Sequence, residues 1–176
     1  AGMAIWDIIS LKVGDRVVCP ATSRDDDHWV FIASDAQLLH FKADAVRPQG
    51  RSAGGMAGIR AAASAAVVFF GAVRPDSSNV VATVAGSLGQ LAGVGASTIK
   101  VTAFTEFPAK GRGTGGVRCH RLAKGEDALL LAWAGQSPVR AETAAGKPIT
   151  LDTELKARDG SGDKIKTTIA AIGGSH

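Results

Sequence analysis

Short segments in which apolar and polar residues alternate follow one another along the chain and are separated by turn-forming residues. Residues 28–34 and 37–42 predict the two strands of a hairpin, because their two-residue period is that of a half-buried strand. Other segments of this kind predict strands at residues 5–11, 16–19, 67–73, 80–85, 98–104, 117–122, 128–134, 138–142, 148–151 and 164–170. The pattern therefore predicts an all-β fold.

One segment carries a conflicting signal. Residues 61–66 are alanines apart from Ser64, and alanine has the highest helix propensity of all residues. The run is short, however, Gly58 lies just before it, and the apolar residues 67–70 follow it directly. We therefore predict a turn between strands rather than a helix.

Glycine-rich loops that carry cations recur along the chain. The loops at residues 47–56 and 107–118 align with a constant offset, since Gly50 corresponds to Gly111 and 111 − 50 = 61. Residues 156–162 form a degenerate third copy of the same loop. Repeats of this length indicate stacked β units rather than one closed sheet.

The repeat also predicts how the chain is divided. Four strands in about 45 to 60 residues make one blade of a propeller-type array. We predict a single domain over residues 1–176 with about three blades, the first of them entered part-way. The approximate units are residues 1–66, 67–126 and 127–173.

Charge matters here through its distribution, because the net charge is only +4, from 20 Lys and Arg against 16 Asp and Glu. Residues 107–118 hold three cations and no acid, and their glycines would let backbone N–H groups approach an anion. Two interpretations stay open: the loops contact phosphates, or they are tight turns with solvated cations. If phosphates are bound, the cations involved are Arg51, Lys110, Arg112 and Arg118, with Lys42 and Lys100 on the strands before the loops.

The sequence offers little for catalysis. Gly111, Gly113 and Gly116 satisfy G-x-G-x-x-G, but a Rossmann site needs a helix there and residues 117–122 are strand-like. No P-loop is present, and the four histidines show no catalytic triad pattern. The chain has no tyrosine, which excludes a tyrosyl nucleophile within it.

Two adjacent residues, Cys119 and His120, are predicted to point to opposite faces of a strand and so to form no common site. We expect His40 and His120 at the surface or at a sheet edge, and Cys19 and Cys119 as buried reduced thiols. No metal site is expected. No apolar run approaches the ~18 residues that a membrane span needs, and the N-terminus does not resemble a signal peptide. We therefore predict a cytoplasmic domain without a membrane partner.

Two long stretches and one short one carry a family resemblance. They are residues 34–41, residues 46–59 and residues 100–121, which include both clear glycine loops. These stretches resemble the C-terminal domain of the A subunit of bacterial type IIA topoisomerases, DNA gyrase and topoisomerase IV, and look most like actinobacterial members. The glutamine-led basic box typical of gyrase is only partly kept at residues 49–55, so both enzymes stay open as the parent.

The resemblance implies a β-pinwheel, a propeller-like array of four-stranded blades that exchange strands with their neighbours. It implies duplex DNA binding without sequence specificity, and bending or wrapping that supports supercoiling or decatenation by the full enzyme. The domain itself would be non-catalytic and without a cofactor, since ATP and magnesium act elsewhere in that enzyme. Its partners would be DNA, the rest of the A subunit, which contains the domain, and the B subunit, in an assembly of two copies each, near the nucleoid.

The site residues that this resemblance and the loops together predict fall into two groups. The DNA-binding cations are Lys42, Arg47, Arg51, Lys100, Lys110, Arg112, Arg118 and Arg121. The loop glycines are Gly50, Gly54, Gly55, Gly111, Gly113, Gly115 and Gly116. A propeller-like protein-interaction scaffold without DNA binding is the alternative function, and an exposed apolar patch would be its sign.

Overall fold

Antiparallel strands and loops make up the chain, seen in a computed structural model that describes residues 26–46, 57–95, 97–151 and 154–173. Within these ranges the chain has no α-helix, and two short 3-10 turns stand at Ala43–Ala45 and Phe104–Glu106. The all-β prediction is confirmed. The strands predicted at residues 5–11 and 16–19 lie outside the described ranges.

The strands observed in the described residues are β1 His28–Ala33, β2 Gln37–Lys42, β3 Val67–Val73, β4 Asn79–Gly86, β5 Thr98–Ala103, β6 Val117–Arg118, β7 Ala128–Gln136, β8 Val139–Thr143, β9 Pro148–Leu151, β10 Asp163–Lys164 and β11 Ile169–Gly173.

The strands form three sheets, each built around one hairpin. The first sheet has the order β3-β1-β2-β6, the second β10-β5-β4-β7 and the third β11-β8-β9. The hairpins β1–β2, β4–β5 and β8–β9 are antiparallel, as are all the other pairings between these strands. Each hairpin is therefore closed on one side by a strand from later in the chain, since β3, β7 and β11 pair with the first strands β1, β4 and β8.

The two shortest strands cross from one sheet to the preceding one. Strand β6 follows the loop after β5, yet it pairs with β2 of the first sheet. Strand β10 follows the loop after β9, yet it pairs with β5 of the second sheet. The chain then returns, because β7 pairs with β4 and β11 pairs with β8. Neighbouring sheets are thus interlocked by exchanged strands.

The core lies between the stacked sheets, and β4 at its centre is buried along its whole length. Successive side chains of a strand point to opposite faces, so Val81 and Ala85 pack with the first sheet whereas Val80 and Val84 pack toward the third. Because one cluster joins side chains of the first two sheets, each sheet depends on its neighbour for burial of its apolar face.

Two strand predictions need correction, and the predicted units differ from the observed sheets. Residues 117–122 form a strand only at Val117–Arg118, because only Leu38 and Gln37 on the edge of β2 pair with them. Residues 164–170 do not form one strand, since β10 and β11 belong to different sheets. The predicted units also do not coincide with sheets: β3 and β7, placed at the start of the second and third units, close the first and second sheets. Residues 61–66 are not helical, as predicted.

Candidate nucleic-acid interface

The central loop, residues 107–118, is fastened at its start by His40 of β2. The ring Nε2 of His40 lies 2.8 Å from the carbonyl oxygen of Phe107, and the backbone N–H of Lys110 donates to the carbonyl of His40 at 3.0 Å. Phe107 itself is buried at the end of the 3-10 turn that precedes the loop. The entry into the central loop is therefore fixed to the first sheet.

The middle of the central loop is closed by backbone hydrogen bonds. The N–H of Arg60 donates to the carbonyl of Thr114 at 2.8 Å, and the Thr114 hydroxyl donates to the carbonyl of Gly111 at 2.8 Å. Gly113 and Gly116 have positive φ angles of 76° and 73°. A Cβ on Gly116 would collide with the carbonyl of Leu38, so this position requires glycine to bring β6 against β2.

The cations of the central loop face solvent. Lys110, Arg112 and Arg118 are exposed, and Arg121, which follows β6, is exposed as well. Lys42, at the end of β2, is also exposed. Since residues 107–118 contain no acidic residue, their net charge is +3. Arg47, Arg51, Gly50, Gly54 and Gly55 lie outside the described residues.

The third loop, taken here together with β10 as residues 156–164, repeats the geometry of the central loop on the next sheet. The N–H of Lys156 donates to the carbonyl of Val101 at 2.8 Å, as Lys110 does to His40. A Cβ on Gly162 would lie 2.5 Å from the carbonyl oxygen of Ile99, as one on Gly116 would meet Leu38. The offset between the loops is constant, since 156 − 110 = 46 and 162 − 116 = 46. At this offset each cation of the central loop has a cation in the third: Lys110 and Lys156, Arg112 and Arg158, Arg118 and Lys164.

Acidic residues weaken the charge of the third loop. Asp159 and Asp163 reduce it to 3 − 2 = +1, and Lys156 forms an ion pair with Asp163. The backbone N–H of Arg158 also donates to Glu106 Oε2 at 2.8 Å. The central loop therefore attracts an anion more strongly than the third loop does.

The two loops touch each other. Arg158 Nη1 donates to the carbonyl of Arg118 at 2.9 Å, and the N–H of Arg121 donates to the carbonyl of Gly160 at 2.9 Å. The cations of both loops thus form one connected basic surface across two sheets. We call it the basic ridge: Lys110, Arg112, Arg118, Arg121, Arg158 and Lys164.

Lys100 does not belong to this surface, and its predicted phosphate contact is corrected by the structure. Its side chain is only 1% exposed, because it points into the fold from β5. Its Nζ donates to the carbonyls of Ala157 at 3.0 Å and Gly160 at 3.1 Å, and also to that of Arg158. Burial lowers the pKa of this ammonium to about 8.

His40 and His120 are likewise buried, contrary to the expectation that they lie at the surface or an edge. Besides its contact with Phe107, His40 has its Nδ1 2.9 Å from Nδ1 of His28, and burial lowers the pKa of both rings. His120 lies between the hydroxyls of Thr83 and Thr98, each at 2.9 Å, and burial lowers its pKa to about 4.

Cys119 precedes His120 in irregular chain rather than in a strand, so the predicted opposite-face arrangement does not exist. Cys119 is a free, fully buried thiol, as predicted, and burial raises its pKa to about 12. Cys19 lies outside the described residues.

In the described part of the chain, no cluster of three His, Cys, Asp or Glu side chains is arranged to hold a metal ion. No described helix is long and apolar enough to cross a membrane.

Sequence reasoning missed several cations that the fold brings to the loops. Arg60 is exposed and is hydrogen-bonded through its backbone to the central loop. Arg158 and Lys164 join the basic ridge, although they were not among the predicted contacts. The signal for the last two was available in the sequence, because the 46-residue offset aligns them with Arg112 and Arg118.

The central loop is not a Rossmann-type nucleotide site, because strand β6 and not a helix follows Gly116. What decides the family is a profile match: the family described as DNA gyrase C-terminal domain, beta-propeller, matches residues 27–74 and 98–130. The chain is similar to this family over those two segments. The matched residues of this gyrase-type C-terminal domain include β1, β2, β5 and the central loop with its cations.

Relatives of this gyrase-type domain are much longer proteins. Topoisomerase subunit TopoM of Mycolicibacterium smegmatis is 32% identical over 108 residues, which are 60% of this chain and 14% of that protein. The DNA gyrase A subunit of the same organism is 29% identical over 166 residues, which are 93% of this chain and 17% of that protein. The chain therefore spans less than a fifth of the length of these relatives.

A solved structure shows the same fold. The E. coli ParC C-terminal domain matches with a TM-score of 0.69 at 15% sequence identity, covering 98% of this chain and 70% of that one. The crossing strands and stacked sheets of this gyrase-type domain agree with that likeness. The prediction of a propeller-like β-pinwheel is confirmed.

Proposed function

We propose that this domain binds duplex DNA through its phosphates, without sequence specificity, and bends or wraps it. The observation that supports this most directly is the basic ridge, in which cations of two equivalent loops on neighbouring sheets adjoin at Arg118 and Arg158. A connected row of cations at equivalent positions suits the regularly spaced phosphates of a duplex, which contribute most of the affinity in sequence-independent binding.

The composition of the loops favours duplex over single-stranded DNA. Proteins that bind single strands stack bases on aromatic side chains. Residues 108–118 and 156–164 contain no aromatic residue. They offer charge and glycine backbone instead, which contact phosphates but do not read bases.

In the whole protein we propose that the domain serves a type IIA topoisomerase as a non-catalytic part of its A subunit. Its partners would be the remainder of that subunit and the B subunit. It would act in the cytoplasm, at the nucleoid, and would support supercoiling or decatenation by the full enzyme. The support is the match to the gyrase C-terminal domain family and the resemblance to relatives named as gyrase and topoisomerase subunits.

A protein-interaction scaffold is the second candidate, and one observation favours it. The loop between β4 and β5 exposes three large apolar side chains, Leu88 by 67%, Leu91 by 53% and Val94 by 45%. Partner binding through this loop would be insensitive to salt, whereas binding through the basic ridge would not.

Charge reversal in the central loop tests the DNA-binding proposal. We expect Lys110→Glu with Arg112→Glu to weaken binding equally on all duplex sequences. The negative slope of log K against log salt should become less steep by about 1.8, for two lost phosphate contacts. The measurement is a fluorescence-anisotropy titration with scrambled duplexes at several salt concentrations.

The matched control is Arg140→Glu with Lys147→Glu, which removes the same charge from exposed residues of the third sheet. It should change the salt slope little. Equal weakening by both double variants would mean that only net charge matters, and a wild-type domain that binds no duplex at low salt would refute the proposal.

A further inference from the structure

Lys100 makes a set of contacts unlike those of any cation on the basic ridge. Its Nζ donates to three carbonyl oxygens of the third loop, those of Ala157 at 3.0 Å, Arg158 at 2.5 Å and Gly160 at 3.1 Å. A lysine ammonium has three donors, so all of them are used. Among the described residues, no carboxylate lies within ion-pair distance of this nitrogen. The buried charge is therefore satisfied by backbone dipoles of one loop.

The central loop is held differently. Aligned with an offset of 61, the position of Lys100 is occupied in β2 by Leu39, which is buried and offers no donor. The central loop is closed instead by its own Thr114 hydroxyl and by the backbone of Arg60. The third loop lacks a threonine at the matching place, where Gly160 stands, and Lys100 supplies the missing donors.

The three carbonyls that point inward determine how the rest of the loop lies. With the carbonyl of Arg158 turned toward β5, its guanidinium extends to the carbonyl of Arg118 at 2.9 Å and joins the basic ridge. The carbonyl of Gly160 accepts a second bond, from the N–H of Arg121 at 2.9 Å. The ammonium of Lys100 thus stands behind the junction of the two loops.

We propose that Lys100 is a positioning residue for DNA binding, which fixes the third loop so that Arg158 and Lys164 reach the phosphates beside the central loop. The inference rests on the proposed DNA binding of the basic ridge. Lys100 itself touches no DNA, since it is 1% exposed. Apart from the loss of one positive charge, its effect on affinity should therefore pass through the cations of the third loop.

A double-mutant cycle tests this route. The four proteins are the wild type, Lys100→Met, Arg158→Ala with Lys164→Ala, and the combination of all three changes. We expect Lys100→Met to lower duplex affinity about fivefold at moderate salt and to reduce the salt slope by between about 0.9 and 1.8, for one or two lost contacts. In the background without Arg158 and Lys164, adding Lys100→Met should have no further effect beyond the small effect of losing one positive charge.

The control for the loss of one positive charge is Lys124→Met, at an exposed lysine of the described chain. Its effect should be small and should add to that of the third-loop changes. Wild-type affinity in Lys100→Met, or an effect that adds fully in the combined protein, would overturn the inference.

A second measurement needs no DNA. Amide hydrogen exchange of the free domain should become faster at residues 157–162 in Lys100→Met and stay unchanged at residues 111–116, because only the third loop loses its donors. If the wild type binds no DNA but this exchange pattern is seen, the proposed function fails while the role of Lys100 in the loop stands. Unchanged exchange at residues 157–162 would refute that role whatever the DNA result.

Should Lys100→Met fail to fold, Lys100→Gln takes its place, with Lys124→Gln as the control. A glutamine amide keeps two donors without a charge. Exchange at residues 157–162 should then lie above that of the wild type, and a rate equal to the wild type would overturn the inference.

Discussion

His120 is held in one protonation state by the groups around it. The hydroxyl of Thr98 donates to Glu126 Oε1 at 2.6 Å, so its oxygen must accept a hydrogen bond from His120 Nε2. The other nitrogen, Nδ1, is then free of a proton and accepts from the hydroxyl of Thr83. Glu126 is satisfied in turn by the N–H of Ala123. The chain of bonds fits a neutral imidazole, and burial, aided by the nearby Lys100, lowers its pKa to about 4.

Acid should therefore destabilise the domain through His120. The pKa is lowered in the folded state from 6.5 to about 4, so between these pH values the unfolded state binds the extra proton. As the pH is lowered from 6.5 to about 4, the free energy of unfolding should therefore decrease, by about 3 kcal/mol in total from this residue. Urea unfolding of the wild type and of His120→Gln at pH 4, 5.5 and 7 measures it. The difference between the two proteins should shrink toward pH 4; a constant difference would contradict the assignment.

Lys100 should show the same linkage in the alkaline range. Its pKa is lowered from 10.5 to about 8, so between these values the unfolded chain binds more protons than the folded one. Relative to Lys100→Met, the wild type should gain stability as pH rises from 8 to 10.5, by about 3 kcal/mol at most. Denaturant unfolding at pH 7.5, 9 and 10 provides the test, with Lys124→Met as a control that shows no such trend. A charge that costs stability at neutral pH is kept here for the geometry of the third loop.

The burial of these side chains is also the part of the site that could not be predicted from sequence. Lys100 alternates with apolar neighbours in a strand next to a basic loop, which is the pattern of an exposed cation. Its partners lie 57 to 60 residues away and are backbone carbonyls, which leave no trace in residue type. The exposure of Lys110, Arg112 and Arg118 agrees with the sequence, in which they lie in a glycine-rich loop without an acidic residue.

At the level of elements, the exchanged strands depend on single glycines. Gly116 has a φ of 73° and Gly162 lies against Ile99, so β6 and β10 approach β2 and β5 more closely than a side chain would permit. Each pairing is only two residues long. The exchange of strands between neighbouring sheets therefore depends on close backbone contact at these positions and not on a long ladder of hydrogen bonds.

Gly116→Ala should accordingly lower the free energy of unfolding by about 2 kcal/mol or more, from the left-handed backbone and the collision with the carbonyl of Leu38. Gly111→Ala is the matched control in the same loop, since the nearest atom to its added Cβ would be 3.9 Å away. Urea denaturation of both variants gives the comparison. Equal stability of the two would show that β6 does not need the close approach.

The strands themselves were largely predictable, whereas their partners were not. Residues 37–42 and 67–73 were predicted with the bounds that the structure has, because alternating or β-branched residues end there at turns. Sheet membership failed at β3 and β7, since similarity between repeats does not reveal that a strand closes the sheet before it. The strand predicted at residues 117–122 was too long, because its alternation continues past the end of the edge that it pairs with.

For the whole molecule, the stacked sheets share their cores and their basic loops. The largest buried cluster joins side chains of the first and second sheets, so neither buries its apolar face alone. The basic ridge likewise needs both the central and the third loop in place. We therefore expect the affinity of the domain for DNA to depend on the array and not on any one loop.

The exchanged strands give the repeat a particular way to grow. One repeat, from the hairpin β4–β5 through the central loop to β7, places its hairpin in the second sheet and β6 in the first. A gene duplication that copies such a segment adds a unit whose interlock with its neighbour is already encoded. A deletion removes the edge strand of the preceding sheet together with its own hairpin. Architectures of this kind should therefore lengthen in evolution more readily than they shorten.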